Sequence, residues 1–402
     1  MNLLLIMPSL PFPPVSGNSM IALNHIRQLS RRHTLDLIAF RGGDNTGDLG
    51  DLPDCCRHIE LVDRPPHWKM FVNLLTGIAG YAPFGVTRLK SSAMASTIHR
   101  ALAEGGYDAV IFQLSEMAQF RPDSLRAPSV WNLEDPPILK YQRMLAIEPW
   151  YAKPLAWDRI ARRKHYEKQQ APRFDRVLFV NREDASDYAR LLPDASIDWV
   201  PSAIDVTSFC PSTEVPRREG MIVITGNMFH KPNVDAVEHF CRNIFPLVRK
   251  QVESATLCIV GSRPAPAVTR WAADPDIEVT SFVPDVRPYL RQARVSICPV
   301  RLRIGTQTKV LEALACGTPV VTTSAGNHGI GGVSGEHLYV ADDPQEFAAR
   351  VVSLLRRERW NELSESGRRF VVQNFTWEKS AARLEEILER LVAAPAPKVA
   401  TV

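Results

Sequence analysis

Short apolar runs alternate with longer amphipathic runs along the first half of the chain. The short runs are apolar almost throughout, which is typical of strands buried on both faces of a parallel sheet. The longer runs have the periodicity of helices that cover such a sheet. The predicted strands are 2–7, 34–40, 108–112, 129–133 and 176–180, and the predicted helices include 17–31, 88–104 and 182–192.

The alternation breaks over 198–220, a stretch with three prolines, and then restarts. Proline and small polar residues in this density are typical of a connection between domains. An amphipathic run over 377–393 and a proline-rich end over 394–402 close the chain. The later strands are predicted at 221–225, 255–260, 277–282, 294–300, 319–323 and 337–340, with helices at 343–357 and 359–373.

The pattern as a whole predicts an α/β protein with two tandem doubly wound Rossmann-like domains, over 1–200 and 201–376. We expect residues 394–402 to form a disordered tail. Ligands of doubly wound sheets bind beyond the carboxyl ends of the strands. The predicted site therefore lies in a cleft between the two domains.

Composition narrows the classes of partner. The 402 residues carry a formal net charge of +4, which suits acidic ligands or an anionic membrane surface but is too weak to indicate nucleic acid. The seven cysteines have no C-x-x-C spacing, so neither a metal site nor a disulfide framework is predicted. No apolar run reaches the ~20 residues of a membrane-spanning helix. Pro8 interrupts the first apolar run too early for a signal peptide, and we expect a cytoplasmic protein.

The segment RLRIGTQTKVLEALACGTPVV (301–321) contains more glycine, small polar and charged residues than a buried core helix needs. Gly305 permits a tight turn, and the free N–H groups of Thr306, Gln307 and Thr308 would then begin a helix whose positive end can bind phosphate. Lys309 could neutralise that phosphate, and Glu312, on the same face, could accept hydrogen bonds from the vicinal diol of a ribose. A capped core helix with a surface Lys–Glu pair is the alternative.

A glycine also stands between the first strand and the first helix of each predicted domain. Gly226 and Asn227 follow the strand at 221–225, and Asn233 could cap a helix that begins near Val234. Gly17 stands at the matching place in the first domain, before its first helix. Neither stretch contains G-x-G-x-x-G, so a dinucleotide fingerprint is absent.

Acidic residues follow the predicted strand at 129–133. Asn132, Glu134 and Asp135 would line the site from the first domain, where paired acids can act as a general base or orient an acceptor hydroxyl. Two acids before two prolines are also a common turn signal, and this alternative stays open.

Taken in order, these stretches resemble the nucleotide-sugar glycosyltransferases of the GT-B fold, and specifically the retaining group 1, or family four, type. The resemblance covers most of 200–392, and the first domain matches more loosely, through Gly17 and the general alternation. The motifs that carry it are VPSAID (200–205), ITGNMFHKPNVDAV (224–237), LCIVGSRP (257–264), TSFVPDVRPYLRQARVSICPVR (280–301), KVLEALACGTPVV (309–321) and FTWEKSAARL (375–384).

The resemblance implies roles for particular residues. Glu312 would hold the ribose hydroxyls of the donor, and the stretch from Gly305 to Thr308 would surround its diphosphate, with Lys309 and Arg301 as the paired cations. Val283, within a stretch that flanks the base, and Gly226 with Asn227 would complete the donor site. Gly17 would bring backbone N–H groups to the phosphates from the first domain. The helix over 377–393 would cross back to that domain.

The sequence departs from the family pattern at three places. Ile304 stands where the first glutamate of E-x7-E is expected, and Asn227 and Asn233 stand where many members carry Arg and Lys. The histidine often found after the matching strand of the first domain is missing, and Glu134 or Asp135 occupies that neighbourhood. Lys309, Arg301 and Arg303 are therefore the expected substitutes for the missing cations.

The resemblance implies transfer of a sugar from a nucleotide diphosphate, UDP- or GDP-linked, to an acceptor hydroxyl with retention. No D-x-D motif stands in a plausible position, so we expect a metal-independent enzyme without a cofactor. The acceptor is a glycan, a lipid-linked molecule or a small molecule, as in polysaccharide biosynthesis. A nucleotide-sugar epimerase of the same fold and an inactive GT-B scaffold subunit remain alternatives.

A second prediction concerns the membrane. Residues 138–173 hold nine basic residues against three acidic ones, with aromatic residues between them. In 67–81, Trp68, Phe71, Leu75 and Ile78 follow helical spacing. Together these stretches could form a surface for peripheral contact with an anionic membrane. The alternative is a solvated helix face beside an ordinary core stripe.

Overall fold

The computed structural model describes residues 1–14, 16–41, 48–79 and 81–394. The chain divides into two units. The first unit comprises Met1–Pro201 together with the segment from Trp377 onward, and the second comprises Ser202–Thr376. Most of the predicted tail, 395–402, lies outside the described residues.

The first unit is built on a seven-stranded sheet in the order β3-β2-β1-β4-β5-β6-β7, with every neighbouring pair parallel. Its strands are β1 (Asn2–Met7), β2 (Thr34–Phe40), β3 (His58–Val62), β4 (Ala109–Gln113), β5 (Ser129–Glu134), β6 (Arg176–Phe179) and β7 (Ile197–Trp199). Its helices up to the second unit are α1 (Gly17–Leu29), α2 (Leu52–Cys55), α3 (His67–Ala79), α4 (Phe84–Thr87), α5 (Ser92–Glu104), α6 (Leu114–Met117), α7 (Pro137–Met144), α8 (Lys153–Gln170) and α9 (Arg182–Leu191).

The second unit repeats this plan with a six-stranded parallel sheet in the order β10-β9-β8-β11-β12-β13. Its strands are β8 (Met221–Thr225), β9 (Thr256–Val260), β10 (Ile277–Val279), β11 (Val295–Cys298), β12 (Val320–Thr322) and β13 (Tyr339–Val340). Its helices are α10 (Lys231–His239), α11 (Phe245–Arg249), α12 (Pro266–Thr269), α13 (Arg287–Gln292), α14 (Thr308–Ala315), α15 (Pro344–Leu355) and α16 (Trp360–Asn374).

The last helix, α17 (Trp377–Ala393), belongs to the first unit. It packs against α1, and the buried His25 of α1 contacts Ser380 of α17, with Nε2 and Oγ 2.9 Å apart. Ser380 Oγ also donates to the carbonyl of Pro201 at 2.6 Å. Burial lowers the pKa of His25 to about 4, so this imidazole is neutral at pH 7 and serves as an uncharged packing partner.

Both sheets carry their cores on both faces, as apolar strands require. The predicted fold class, with two doubly wound parallel sheets, is therefore confirmed. The predictions missed two strands, β3 and β7, because β3 alternates polar His58 and Glu60 with apolar residues and β7 has only three residues. Among the described residues, none of the helices combines the length and the apolarity that crossing a membrane requires.

The strand orders locate the ligand sites of the two units. In each sheet the chain first adds strands on one side of the first strand. It then crosses over and adds the remaining strands on the other side, so the order reverses between β1 and β4 and between β8 and β11. Loops diverge at such a switch point and leave a crevice at the carboxyl ends of the strands. The predicted site residues that follow β8 and β11 meet at this place in the second unit.

Candidate functional site

The turn after β8 brings backbone close to two polar side chains. Gly226 has φ of +153°, a conformation that disfavours side chains. A Cβ on Gly226 would lie 3.0 Å from Asn233 Nδ2 and 3.2 Å from Lys309 Nζ. Glycine is therefore required here because the side chains of Asn233 and Lys309 lie too close for a Cβ. Three residues that the sequence analysis selected thus meet at one point.

The helix after this turn begins earlier than the sequence indicated. α10 starts at Lys231 rather than near Val234, with His230 as its N-cap residue. Pro232, in the first turn, favours this early start because its fixed φ is preorganised for a helix. The prediction that Asn233 caps the helix is therefore wrong. Instead its Nδ2 donates to the carbonyl of Asn227 at 3.0 Å, and its Oδ1 accepts from Lys309 Nζ at 2.6 Å.

The loop after β11 turns at Gly305, whose φ is +55°. The following helix, α14, begins at Thr308 and not at Thr306, because Gln307 has non-helical dihedrals of −79° and 85°. The N–H of Thr308 donates to the carbonyl of Thr306 at 3.0 Å, so the prediction that this group is free is wrong. Within the described residues, the main-chain N–H groups of Thr306, Gln307 and Lys309 have no hydrogen-bond acceptor.

A buried hydroxyl in the same loop also lacks a partner. Thr306 Oγ1 is shielded from solvent and makes no hydrogen bond. An unsatisfied buried polar group costs about 1–3 kcal/mol, so such groups are rare unless a ligand satisfies them. Together with the three N–H groups, Thr306 supplies hydrogen-bond donors at the positive end of α14.

Burial shifts the pKa values of both charged side chains on α14. It lowers the pKa of Lys309, with Cys298 and Glu312 acting in the opposite direction. Burial raises the pKa of Glu312 to about 7, and the neighbouring Lys309 opposes that shift. Because pKa values perturbed by desolvation cluster at functional sites, Lys309 and Glu312 are candidates for ligand contact rather than an ordinary surface pair.

Arg301 takes part in a different interaction. Its guanidinium is paired in a fork with the carboxylate of Asp235 on α10, with Nε 2.9 Å from Oδ2. The side chain is 51% exposed and that of Asp235 is 17% exposed. Arg301 therefore has its charge partner already, and Lys309 is the cation that the structure brings to Gly226. The sequence analysis did not identify Asp235 as a partner of Arg301. Its position one helical turn after Lys231 is the only feature in the sequence that could have drawn attention to it.

Two other positions lie apart from this cluster. Val283 follows the edge strand β10 and is partly buried against the core, beside Phe282, which is 73% exposed. Ile304, at the position of the expected glutamate, is buried, and its carbonyl accepts from Gln307 Nε2 at 3.0 Å. An apolar residue at 304 therefore contributes to the core and leaves Glu312 as the acid of this loop and helix.

In the first unit, Gly17 opens α1 and has open space around it, since a Cβ there would meet nothing within 4 Å. The helix is capped by Ser16, which shares reciprocal hydrogen bonds with Ser19 in a capping box. No close approach requires glycine at this position, so its proposed role rests on its place after β1 alone.

Glu134 ends β5 as a fully buried carboxyl. Its φ of +62° is unusual for a residue with a side chain, and its Oε1 accepts from Gln113 Nε2, while Asn132 Nδ2 donates to Gln113 Oε1 at 3.1 Å. Burial, followed by the charge of Asp135, raises the pKa of Glu134 well above its usual range. Backbone strain of this kind is often retained at functional sites.

Gln113 was not identified from the sequence, although it is the last residue of the neighbouring strand β4 and the topology places it beside Glu134. Asp135 is partly exposed and forms an ion pair with Lys140 at 3.3 Å. The structure thus separates the two predicted acids into one buried carboxyl and one surface ion pair. Within the described ranges no three His, Cys, Asp or Glu side chains are grouped as a metal site requires, and the expectation of a metal-independent enzyme stays a prediction.

Comparison with known proteins adds to this geometry. The family model described as glycosyl transferases group 1 matches residues 219–357, a range that contains the whole cluster around Lys309. The chain is 26% identical over 240 residues to the GDP-mannose-dependent alpha-(1-6)-phosphatidylinositol monomannoside mannosyltransferase of Mycolicibacterium smegmatis, a match that covers 53% of this chain and 62% of that protein. The chain spans 56% and 62% of the length of the curated relatives it matches.

Two solved structures are similar over nearly the whole chain. Sucrose-phosphate synthase from Thermosynechococcus elongatus has a TM-score of 0.74 at 17% identity, covering 98% of this chain and 100% of that one. Anabaena HepE in complex with UDP and glucose has a TM-score of 0.63 at 11% identity, covering 96% and 99%. At such identities the likeness establishes the fold alone. The chain therefore has the GT-B fold, and residues 219–357 of its second unit match the model of the group 1 glycosyltransferases.

Proposed function

We propose that the protein transfers a glycosyl group from a nucleotide-diphosphate sugar to an acceptor hydroxyl, with retention of anomeric configuration. The observation that carries this proposal is the convergence of Gly226, Asn233 and Lys309 with the unsatisfied donors of the Thr306 loop, at the switch point of the second sheet. Support also comes from the group 1 family match over 219–357 and from a similar fold that was solved with UDP and glucose.

The donor diphosphate is proposed to bind at the start of α14. The N–H groups of Thr306, Gln307 and Lys309 and the buried hydroxyl of Thr306 are hydrogen-bond donors without protein acceptors. Anions are stabilised at such a helix terminus. Lys309 adds a point charge whose position is fixed by Asn233 Oδ1. A partly buried cation whose pKa is lowered by desolvation is stabilised by a bound anion, because the pairing offsets its desolvation penalty.

The nucleoside is proposed to contact Glu312 through its ribose. Glu312 lies one turn after Lys309 on α14, so both side chains are on the same helix face. A carboxylate can accept hydrogen bonds from two neighbouring hydroxyls at once. The exposed Phe282 and partly buried Val283 are the proposed contacts of the base.

In the chemical step, the bond from the anomeric carbon to the diphosphate oxygen breaks and the acceptor oxygen bonds to that carbon. The electron pair of the broken bond leaves with the diphosphate, so negative charge grows where Lys309 and the helix terminus are fixed. Preorganised donors at a site of developing charge are commonly the largest contribution to catalysis. The acceptor hydroxyl loses its proton, and Glu134, whose pKa burial raises well above its usual range, is the proposed group of the first unit that accepts or orients it.

The acceptor is proposed to be a glycan, a lipid-linked molecule or a small molecule. The name of the mycobacterial relative specifies a phosphatidylinositol monomannoside as acceptor and GDP-mannose as donor, which supports a lipid-linked acceptor as the first class to test. The donor is proposed to be UDP- or GDP-linked on the names of the relatives alone.

Thermal-shift measurements with UDP-, GDP-, ADP- and dTDP-sugars test the donor site, since a ligand that binds the folded state raises the melting temperature. We expect one nucleotide class to stabilise the protein and Lys309→Ala and Glu312→Ala to remove this effect. Arg301→Ala is the matched control, because that cation is already paired with Asp235. No shift with any nucleotide, or equal shifts in all variants, would refute the site.

Product analysis then separates transfer from its alternatives. Incubation of the stabilising nucleotide sugar without acceptor should give slow hydrolysis or no change, whereas an epimerase would produce an epimeric nucleotide sugar. With a lipid or glycan acceptor, the anomeric configuration of the product, measured by NMR, tests retention. Nucleotide binding without turnover on acceptors of all three classes would indicate a scaffold subunit instead.

A further inference from the structure

Helix α3 exposes its apolar side and buries a polar side chain. Trp68, Phe71, Val72 and Leu75 follow the spacing of one helix face and are 68%, 62%, 46% and 52% exposed. Asn73, on the opposite side, is buried and donates to the carbonyl of Lys90 at 2.9 Å. The sequence alternative of an ordinary core stripe is therefore wrong for these side chains. The side chain of Ile78 lies outside the described residues.

A second group of exposed apolar side chains lies just before α8 and in its first two turns. Trp150 and Tyr151 are 81% and 72% exposed, and Leu155 and Trp157 are 51% and 59% exposed. Large exposed aromatic residues are costly to maintain in contact with water, and their concentration in one region marks an interaction surface.

The two groups belong to one region of the first unit. Arg162 of α8 donates through Nη1 to the carbonyl of Gly77, in the last turn of α3, at 3.4 Å. Its guanidinium also lies over the rings of Tyr81 and Phe84, at 4.8 and 5.2 Å from their centroids. Arg162 thus attaches α8 to the end of α3 and to α4. We call α3, the segment 150–157 and this junction the apolar–basic face.

A small pocket with three arginines opens at the junction. Its volume is about 160 Å³, and its lining residues are Pro83, Phe84, Gly85, Tyr141, Arg159, Arg162 and Arg163. Arg163 Nη1 is shielded from solvent and has no hydrogen-bond partner, and Glu167 Oε1 lies 4.0 Å away. A Cβ on Gly85 would lie 3.5 Å from Arg163 Nη2. Arg163 therefore brings to the pocket one guanidinium nitrogen without an acceptor, and the N–H groups of a guanidinium have a fork geometry that suits a phosphate group.

The surface around the pocket is positively charged, like the arginines that line the pocket. Residues 138–173 contain nine basic and three acidic residues. Two of the acids are already engaged, since Asp158 accepts from Arg162 Nε at 2.8 Å and Glu167 is fully buried beside Tyr188. Lys153, Arg159, Lys164 and Lys168 are exposed, so the charge presented to solvent is predominantly positive.

We propose that the apolar–basic face docks on an anionic phospholipid bilayer, with its exposed aromatic side chains in the interface and a lipid phosphate in the arginine pocket. Aromatic and aliphatic side chains beside clustered Lys and Arg are the combination that such an interface favours. A second copy of the chain is less favourable, because an isologous contact would place the same positive surface against itself. This surface is independent of the proposed donor site.

Flotation of the full chain with vesicles tests the proposal directly. We expect binding to vesicles of phosphatidylcholine mixed with phosphatidylglycerol, weak binding to pure phosphatidylcholine, and loss of binding at high salt. The variants Trp68→Ser with Phe71→Ser, and Arg159→Ala with Arg163→Ala, should each weaken binding about tenfold or more, since each Lys or Arg at an anionic surface contributes about fivefold. The serine substitutions are at exposed positions, so melting temperatures should be unchanged.

Matched controls come from equally exposed residues elsewhere. Phe229→Ser in the second unit, where the side chain is 67% exposed, and Arg190→Ala on α9, which is 80% exposed, should bind vesicles like the native chain. Binding that is absent, insensitive to phosphatidylglycerol or equally reduced in the controls would overturn the proposal.

A dimer in analytical ultracentrifugation that Trp68→Ser with Phe71→Ser converts to monomer, without vesicle binding by the native chain, would show instead that the face pairs two copies. A phosphate-induced rise in the melting temperature that Arg159→Ala with Arg163→Ala removes, again without vesicle binding, would identify the pocket as a site for free anions and also overturn the proposal.

Discussion

The two units use one topology to present opposite chemistry at the carboxyl ends of their strands. In the second unit, Gly226 makes room for Lys309, a partly buried cation held by Asn233 beside hydrogen-bond donors without acceptors. In the first unit, the corresponding edge of the sheet ends in Glu134, a buried carboxyl held by Gln113. One edge is therefore prepared for an anion, and the other carries an acid whose pKa is raised.

The two units also show which partner each of these charged side chains has inside the protein. Lys309 has a neutral amide as its hydrogen-bond partner, so its charge is left available to a ligand. Arg301, by contrast, is neutralised by Asp235. Glu134 has an amide partner as well, so neither edge has a fully compensating ion pair. Buried groups without a counter-charge are costly in the free protein, and substrate binding would relieve that cost.

The largest effect is expected for the cation of the second unit. Lys309→Ala should lower kcat/KM about 100-fold, because it removes a preorganised positive charge from the leaving diphosphate. Steady-state kinetics with the donor identified by thermal shift would measure this loss. Arg301→Ala should change kcat/KM less than about twofold, since surface ion pairs contribute little. Equal effects of the two substitutions would remove the distinction drawn between the two cations.

The next effect concerns stability and pH. The pKa of Glu312 is about 7 in the folded protein and 4.5 without burial, so the folded state holds an additional proton between these values. The free energy of unfolding should therefore fall as pH rises through this window, by about 2 kcal/mol from about pH 5 to about pH 7 for this group alone. Glu312→Gln should remove that part of the pH dependence.

Urea unfolding of the native chain and of Glu312→Gln at several pH values would provide the measurement. The difference between the two proteins is the relevant quantity, because buried Glu167, whose pKa is also raised to about 7 by burial, contributes equally to both. Parallel pH profiles would show that Glu312 is not desolvated in the folded protein.

A smaller effect is expected for the acid of the first unit. Glu134→Gln should lower kcat about tenfold while the melting temperature stays constant, because glutamine keeps the shape and can still accept from Gln113, yet cannot take up a proton at neutral pH. Asp135→Asn is the control, since Asp135 forms a partly exposed ion pair with Lys140. If Asp135→Asn had the larger effect, the functional acid of this turn would be the exposed one.

The smallest effect is expected for the residue that positions Lys309. Asn233→Ala should raise KM for the donor about fivefold with little change in kcat, because the ammonium group loses one hydrogen bond but keeps its charge. Asn233→Asp should shift the pH dependence of donor binding, since a carboxylate would neutralise Lys309. A change in neither KM nor its pH profile would show that the contact between Asn233 and Lys309 is only structural.

Much of the fold was predictable because apolar runs and turn residues act locally. The strands at 2–7, 34–40 and 221–225 have the predicted ends, since each is a continuous apolar run. Helix starts were less accurate. α10 and α14 begin three residues earlier and two residues later than expected, because Pro232 and the turn at Gly305 and Gln307 set the backbone there.

The candidate site was predictable as a set of residues but not as a set of contacts. Lys309 and Asn233 are 76 positions apart, and their hydrogen bond exists because β8 and β11 are adjacent in the sheet. The pairing of Arg301 with Asp235 and the position of Gln113 beside Glu134 follow from strand and helix neighbours in the same way. A single sequence carries no local signal for such partners.

The sequence by itself determined the two doubly wound sheets, the glycines at strand ends and the positions of the cationic and acidic residues, because hydrophobic periodicity and turn chemistry are properties of neighbouring residues. Only the tertiary structure decided which charges are neutralised and which are buried without a counter-charge, and which side of α3 is exposed. Charge pairing and burial depend on segments far apart in the chain, and the free energy of each group is set by the environment that those segments form together.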